Sequence, residues 1–124
     1  MLQGIFGNAT EADAKAIQKD LDDLLADGEQ VVKAFKIVRD LFVFTDHRLI
    51  LIDKQGVTGK KAEYHSIPYR SITHFSVETA GTFDMDAEMK IYVGSSSMPI
   101  ERQFKRGTNI VGVQKTLAQQ VFKR

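Results

Sequence analysis

The stretch LFVFTDHRLILI, residues 41–52, decides the fold of this chain. It predicts two short strands, 41–45 and 48–53, joined by a turn at Asp46 and His47. Neither strand alternates between apolar and polar residues, although successive side chains of a strand point to opposite faces. Both faces of this strand pair are therefore apolar, whereas a barrel interior hides only one of them. The other face must be covered by a helix of the same chain or by another subunit.

Five further stretches are predicted to be strands, because each is a short run of strand-forming residues between turn residues. They are residues 30–38, 61–66, 71–78, 86–93 and 98–105. The clearest alternation lies in residues 86–93, where Ala87, Met89 and Ile91 are expected to face the core. Seven short strands at this spacing predict an antiparallel barrel or sandwich.

Helical periodicity precedes the strands and predicts a helix over residues 10–26. Its apolar stripe consists of Ile17, Leu21, Leu24 and Leu25. Thr10 resembles the start of a capping box, and Gly28 is a typical stop signal. We therefore expect an N-terminal helical extension, residues 1–28, in front of a globular domain, residues 29–124.

A second helical stripe lies at the other end of the chain. It consists of Ile110, Val113, Leu117 and Val121. This stripe predicts a C-terminal helix whose apolar face packs on the strands. Gly112 inside that helix costs about 1 kcal/mol relative to alanine. We therefore expect another group to approach the helix closely at this position.

Two motifs carry a resemblance to a known family. The run FTDHRLILI, residues 44–52, is similar to the T-x-x-R-L-I turn and strand of bacterial pleckstrin-homology (PH) domains. The run SIPYRSITHF, residues 66–75, resembles the I-P-Y-x-x-I strand entry of the same domains. From the residues themselves, Pro68 suits a strand entry because it lacks an N–H for the ladder. Arg48 has the donors to bind loop carbonyls, so both motifs are predicted to have structural roles.

The resemblance spans residues 29–123 and implies a fold that is mainly β (α+β). The implied structure is a seven-stranded antiparallel PH-like barrel with a C-terminal capping helix, to which helix 10–26 is an addition. The resemblance also implies a self-associating, non-enzymatic assembly domain, because bacterial PH domains are often ring-like homo-oligomers of unassigned biochemical role.

Composition excludes several classes of protein. The chain has 124 residues, which suits one domain, and it has no cysteine, which excludes disulfides and thiolate zinc sites. Its three histidines lie on separate segments, and no nucleophile or phosphate-loop motif is present. We therefore expect no catalytic residues, no cofactor and no metal.

A net charge of +1 argues against nucleic acid as a partner. No signal peptide or long apolar run is visible, so we expect a cytoplasmic protein.

Charge is distributed unevenly along the chain and suggests self-association. Residues 1–31 carry two cationic and seven anionic side chains, a net charge of −5. Residues 99–124 carry six cationic and one anionic side chain, a net charge of +5. Unlike surfaces of two copies attract each other, and such contacts form a ring if the rotation closes. The predicted contacts are Leu2, Ile5 and Phe6 of the N-terminal segment and Phe42 and Phe44 of the strand pair.

Two alternatives stay open at this point. In the first, helix 10–26 folds back over its own barrel, covers the apolar outer face and leaves a monomer. In the second, the domain binds anionic lipid or a phosphoinositide through Lys33, Lys36 and Arg39, and so associates with membranes. The turn between the first two barrel strands is short, however, and the strand 41–45 has no basic residue. Both features reduce the donors available to a phosphate group. Other proteins remain further candidate partners.

Overall fold

The computed structural model describes residues 11–37, 40–55, 61–82 and 85–123. The helices and strands are, in chain order, β1 (Glu11–Ala12), α1 (Ala14–Asp20), β2 (Val31–Ile37), β3 (Asp40–Thr45), β4 (Arg48–Gln55), β5 (Lys61–Pro68), β6 (Ile72–Thr79), β7 (Ala87–Val93), β8 (Ile100–Phe104) and α2 (Ile110–Val121). A short 3-10 helix, Tyr69–Ser71, joins β5 to β6.

The strands form two antiparallel sheets. The first sheet has the order β1-β2-β3-β4-β5, and the second has the order β6-β7-β8. All seven strands predicted from the sequence are confirmed, with ends that differ by at most two residues. The mainly β architecture with one helix before and one helix after the strands is also confirmed. The two-residue strand β1, which pairs with β2, was not expected.

The inner face of the first sheet forms the main core together with the second sheet and α2. Phe42 lies opposite Leu51 and Phe44 lies opposite Leu49 in the β3–β4 register. The ring of Phe42 makes a T-shaped contact with Phe104 of β8, at a centroid distance of 5.5 Å. Helix α2 contributes three fully buried side chains, namely Ile110, Val113 and Leu117. This helix therefore closes the barrel, as its apolar stripe predicts.

The outer face of the first sheet has a separate small core. Val43 and Ile50 have no exposed surface there, and Ile52 is almost fully buried. Leu21 completes this cluster, with Ile17 and other residues of the leading segment packed against it. The apolar outer face is thus covered by the leading segment of the same chain, in which Leu21 follows α1. Of the two ways to cover that face, this structure uses the folded-back N-terminal segment.

The leading helix is much shorter than the 10–26 span that its stripe predicts. Helix α1 has seven residues, and Asp13 rather than Thr10 caps it by accepting a hydrogen bond from the Lys15 amide at 3.0 Å. Irregular turns follow from Leu21 onward. Asp20, Asp22 and Asp23 explain the early end, because aspartate has low helix propensity and negative charge is unfavourable at a helix C-terminus.

The close approach expected at Gly112 is confirmed. The Asn109 side-chain oxygen accepts a hydrogen bond from the Gly112 amide at 3.0 Å and so caps α2. A Cβ atom at position 112 would lie 2.6 Å from the Asn109 side-chain nitrogen. Glycine at this position therefore leaves room for the capping side chain.

The buried position of Leu21 leads to a stability prediction. Leu21→Ala leaves a cavity beneath the leading segment, and we expect it to lower the free energy of unfolding by about 2–3 kcal/mol. The matched control is Leu24→Ala in the same turn, where the side chain is 37% exposed. That change should cost less than about 1 kcal/mol. Urea unfolding measures both, and equal effects of the two variants would contradict the docking of this segment.

Candidate functional site

A buried ion pair joins the leading segment to the barrel. The Glu29 residue is 2% exposed and follows directly after the turn that ends the extension. Arg48, the first residue of β4, donates from Nε to Glu29 Oε2 and from Nη2 to Glu29 Oε1, each at 2.9 Å. Two parallel hydrogen bonds of this kind match the planar guanidinium to the carboxylate. We call this pair and its hydrogen-bonded neighbours the Glu29 clamp.

Thr45 holds the other side of the clamp. Its hydroxyl donates to Glu29 Oε2 at 2.6 Å. The Thr45 hydroxyl oxygen also accepts hydrogen bonds from the backbone amides of His47 at 3.0 Å and Arg48 at 2.9 Å. Thr45 therefore fixes the β3–β4 turn and orients the carboxylate at once, which explains threonine in the T-x-x-R-L-I motif.

Arg48 also reaches two other segments. Its Nη2 donates to the backbone oxygen of Leu24 at 3.0 Å, and its Nη1 donates to the Ser66 hydroxyl at 2.9 Å. The prediction that Arg48 binds a loop carbonyl is thus confirmed. The hydroxyl of Tyr69, from the I-P-Y motif, donates to the Thr45 backbone oxygen at 2.6 Å. The two motifs that carry the resemblance therefore meet around one buried carboxylate.

Gln18 ties helix α1 itself to the clamp. Its side-chain nitrogen donates to the Glu29 backbone oxygen at 2.8 Å, and its side-chain oxygen accepts from the Val31 amide at 2.6 Å. The amide of Ala26 donates to Glu29 Oε1 at 2.9 Å. Polar contacts thus reinforce the apolar contact of Leu21 with the outer face of the sheet.

These contacts set the acidity of Glu29. Burial alone would raise its pKa, but the hydrogen bonds from Arg48, Thr45 and the Ala26 amide, together with the Arg48 charge, lower the pKa to about 2. The ionised form is therefore strongly favoured in the folded state. Both carboxylate oxygens already accept hydrogen bonds from protein groups, so the clamp acts as an anchor between segments.

The predicted lipid-binding residues do not converge. The β2–β3 register places Ala34 opposite Val43 and Phe35 opposite Phe42. Because side chains alternate along a strand, Lys33 lies on the same face as Phe35. Lys36 lies on the other face, together with Ala34. Lys33 instead lies beside Lys115 of α2, where both residues line a groove of about 280 Å³. Arg39 lies outside the described residues.

The predicted oligomer contacts need a correction. Phe42 and Phe44 are 1% and 0% exposed and belong to the main core. Their side chains face the barrel interior, since the register gives the outer face to Leu41 and Val43. They therefore cannot contact another copy from the surface of this fold. Leu2, Ile5 and Phe6 lie outside the described residues.

In residues 11–37, 40–55, 61–82 and 85–123, no three histidine or acidic side chains are grouped closely enough to hold a metal ion. Within the same ranges, no helix combines the length and the hydropathy needed to cross a membrane.

Sequence reasoning missed an apolar groove beside the clamp. Leu21, Leu24 and Tyr64 line it together with Asp20 and Asp23, and its volume is about 260 Å³. Tyr64 is 51% exposed. The sequence signal was a single tyrosine within the polar stretch KAEYHS, residues 61–66, which has no apolar neighbour in sequence other than Ala62.

The low pKa of Glu29 predicts how stability depends on pH. An unfolded glutamate titrates near 4.5, whereas the folded state holds this group at about 2. The stabilisation is thus complete above pH 4.5 and is lost as pH falls toward 2, a change of about 3 kcal/mol. Urea unfolding across this range should show the loss in the natural protein. Glu29→Gln should be less stable at pH 7 and should lack this component, and parallel pH profiles for the two proteins would contradict the assignment.

The fork geometry of Arg48 gives a second prediction. Arg48→Lys keeps the charge but cannot donate two parallel hydrogen bonds while also reaching Leu24 and Ser66. We expect a loss of about 2 kcal/mol in unfolding free energy. The matched control is Arg70→Lys, at an exposed position in the 3-10 helix, which should change stability by less than about 0.5 kcal/mol. The prediction is wrong if both variants behave like the natural protein.

Comparison with known proteins places these observations in a family. The Bacterial PH domain model matches residues 1–121. The uncharacterized protein YjqA of Bacillus subtilis (strain 168) is 53% identical over 118 residues, which cover 94% of each chain. The crystal structure of a pleckstrin homology domain from Shewanella amazonensis SB2B is 56% identical and superposes with a TM-score of 0.87, covering 97% of both chains. A DUF1696 family protein with a pleckstrin-homology domain from Shewanella loihica PV-4 is 52% identical, with a TM-score of 0.78 over 90% of this chain and 96% of that one. The chain therefore belongs to the bacterial PH domain family.

Proposed function

We propose that this PH domain is a non-enzymatic assembly module that associates with further copies of itself, head to tail. PH domains are generally non-catalytic. The observation that carries the proposal is the cluster of exposed carboxylates on the leading segment, together with exposed cationic groups on the β8–α2 turn and α2.

The negative face lies on the leading segment. Asp20, Asp22, Asp23 and Asp27 are all exposed. Asp20 ends helix α1, which packs on the outer face of the first sheet, and the other three follow the helix. The Glu29 clamp fixes the chain where the leading segment runs into β2. These carboxylates therefore have a fixed place on the barrel. We call this set the acidic face.

The positive side chains lie elsewhere. Lys105 and Arg106 are exposed in the turn after β8, and Lys115 and Lys123 are exposed on or just after α2. Strand β8 belongs to the second sheet, and α2 closes the barrel interior. These cationic groups thus lie on different elements from the carboxylates of the acidic face. We call this set the basic face.

Two copies can therefore meet through unlike surfaces. Such a heterologous contact leaves one free surface of each kind, so it continues from copy to copy and closes into a ring if the rotation permits. Complementary charge sets the orientation and the register of the contact more than its strength. The apolar outer face of β3 and β4 gives the proposal no support, because α1 already covers it.

Lipid binding is not favoured by the geometry. A flat anionic surface would need Lys33 and Lys36 on the same side, and the β2 register places them on opposite sides. Recruitment of the protein to anionic vesicles but not to neutral ones would reverse this preference.

Native mass as a function of salt tests self-association. Gel filtration with light scattering at low ionic strength should give a multiple of 13.9 kDa. The mass should fall as sodium chloride rises, because the screening length drops from about 10 Å at 0.1 M to about 3 Å at 1 M. A single species of 13.9 kDa at high micromolar concentration in low salt would rule the proposal out.

A further inference from the structure

We propose that the apolar groove beside the clamp receives the β8–α2 turn of a second copy, Lys105–Arg106–Gly107–Thr108. This inference rests on the proposed self-association and assigns the two surfaces that make the contact.

The groove exposes apolar surface that the fold leaves open. Leu24 is 37% exposed and Tyr64 is 51% exposed, and both line the same groove. Tyr64 lies opposite Ile52 in the β4–β5 register, on the side of the sheet that the leading segment covers. Its ring therefore stands at the border of the buried outer cluster. Large apolar side chains exposed next to each other are typical of interaction sites.

The groove lies at an open sheet edge. Strand β5 ends the first sheet, and within the described residues only β4 pairs with it. Residues 61–66 of this strand are all exposed. An approaching chain therefore reaches Tyr64 from the side without displacing another strand.

The charge at the groove selects the occupant. Asp20 and Asp23 stand at its rim, and none of the lysines and arginines that the structure describes lines it. A lysine or arginine side chain satisfies both parts of such a site, because its methylene stem packs on apolar groups while its head meets carboxylates. The exposed face of a tyrosine ring also attracts a cation. The preferred occupant is thus a cationic segment with at least one long basic side chain.

The β8–α2 turn has these properties. Lys105 and Arg106 are adjacent and exposed, and the turn itself contains no acidic residue. The Thr108 amide donates to the Lys105 backbone oxygen at 3.0 Å, and Gly107 has a φ of +89°. The Arg106 amide donates to Asp86 Oδ1 at 2.8 Å. The turn is therefore held in shape before it binds, which lowers the entropy cost of association.

Two cations in this turn match two carboxylates at the groove. Lys115 is a single charge on α2, whereas Lys123 adjoins Arg124, which lies outside the described residues. Within one molecule, the turn belongs to the second sheet and the groove to the outer side of the first sheet. The partner that fills the groove is consequently another copy.

Charge reversal tests the assignment. The groove variant carries Asp20→Lys and Asp23→Lys, and the turn variant carries Lys105→Glu and Arg106→Glu. Sedimentation velocity at low salt should show that each variant raises the dissociation constant of assembly by about tenfold or more. Mixing the two variants should restore assembly, because the turn of the groove variant fits the groove of the turn variant.

Matched controls separate the groove from general charge. Glu78→Lys with Glu101→Lys makes the same change in net charge at two exposed positions, but neither residue belongs to the acidic face or lines the groove. This control should change the dissociation constant by less than about threefold. Tyr64→Ser removes the apolar wall without changing charge and should also weaken assembly. Urea unfolding confirms that each variant is folded before its mass is compared.

The outcomes distinguish this inference from the proposed function. A monomeric natural protein would overturn both. A natural protein that assembles, together with groove and turn variants that assemble equally well, would overturn the groove assignment and leave self-association standing. If the groove variant fails to assemble while the turn variant assembles normally, another segment fills the groove and the choice of the turn is wrong.

Discussion

The structure depends on the burial of one carboxylate, Glu29, against the guanidinium of Arg48. Removing Arg48 from this pair leaves the buried Glu29 carboxylate without its compensating charge, which is destabilising. The pair is acceptable here because Thr45, the Ala26 amide and the two arginine donors occupy both carboxylate oxygens. Through this network the leading segment is fixed to the barrel before the first long strand begins.

The clamp explains why two short motifs could identify the fold. Thr45 and Arg48 sit at either end of one turn, while Ser66 and Tyr69 come from the next strand and the 3-10 helix that follows it. Their hydrogen bonds converge because β3, β4 and β5 are neighbours in one sheet. The seven strands could be predicted from apolar runs and turn residues, and the closing helix from its stripe. Local sequence carries this information directly.

Other features depend on contacts that local sequence does not encode. Phe42 and Phe44 were assigned to the surface because an unbroken apolar run gives no indication of which face is inside. The register with β4 decides that question. Lys33 and Lys36 could have been separated from the start, since an odd spacing places two side chains of a strand on opposite faces. The groove at Tyr64 could not be predicted, because it is formed by a turn and a strand about forty residues apart in the chain.

The fold thus makes the leading segment part of the domain surface and leaves its carboxylates available to a partner. The apolar side chains on both faces of β3 and β4 are covered within the chain. In the proposed assembly, recognition between copies rests on charge and on the apolar groove at the open edge of β5. Stability and the proposed assembly then use different residues of the same segment, with Leu21 and Glu29 facing the barrel and Asp20, Asp23 and Leu24 facing outward.

A double-mutant cycle between Glu29 and Arg48 tests the central claim most directly. The unfolding free energies of the natural protein, Glu29→Gln, Arg48→Met and the double variant give the coupling between the two side chains. A coupling energy of about 2–3 kcal/mol is predicted, because each single variant leaves a buried polar group without its partner. Single effects that add to within about 0.5 kcal/mol would show that the pair is not the anchor of this fold.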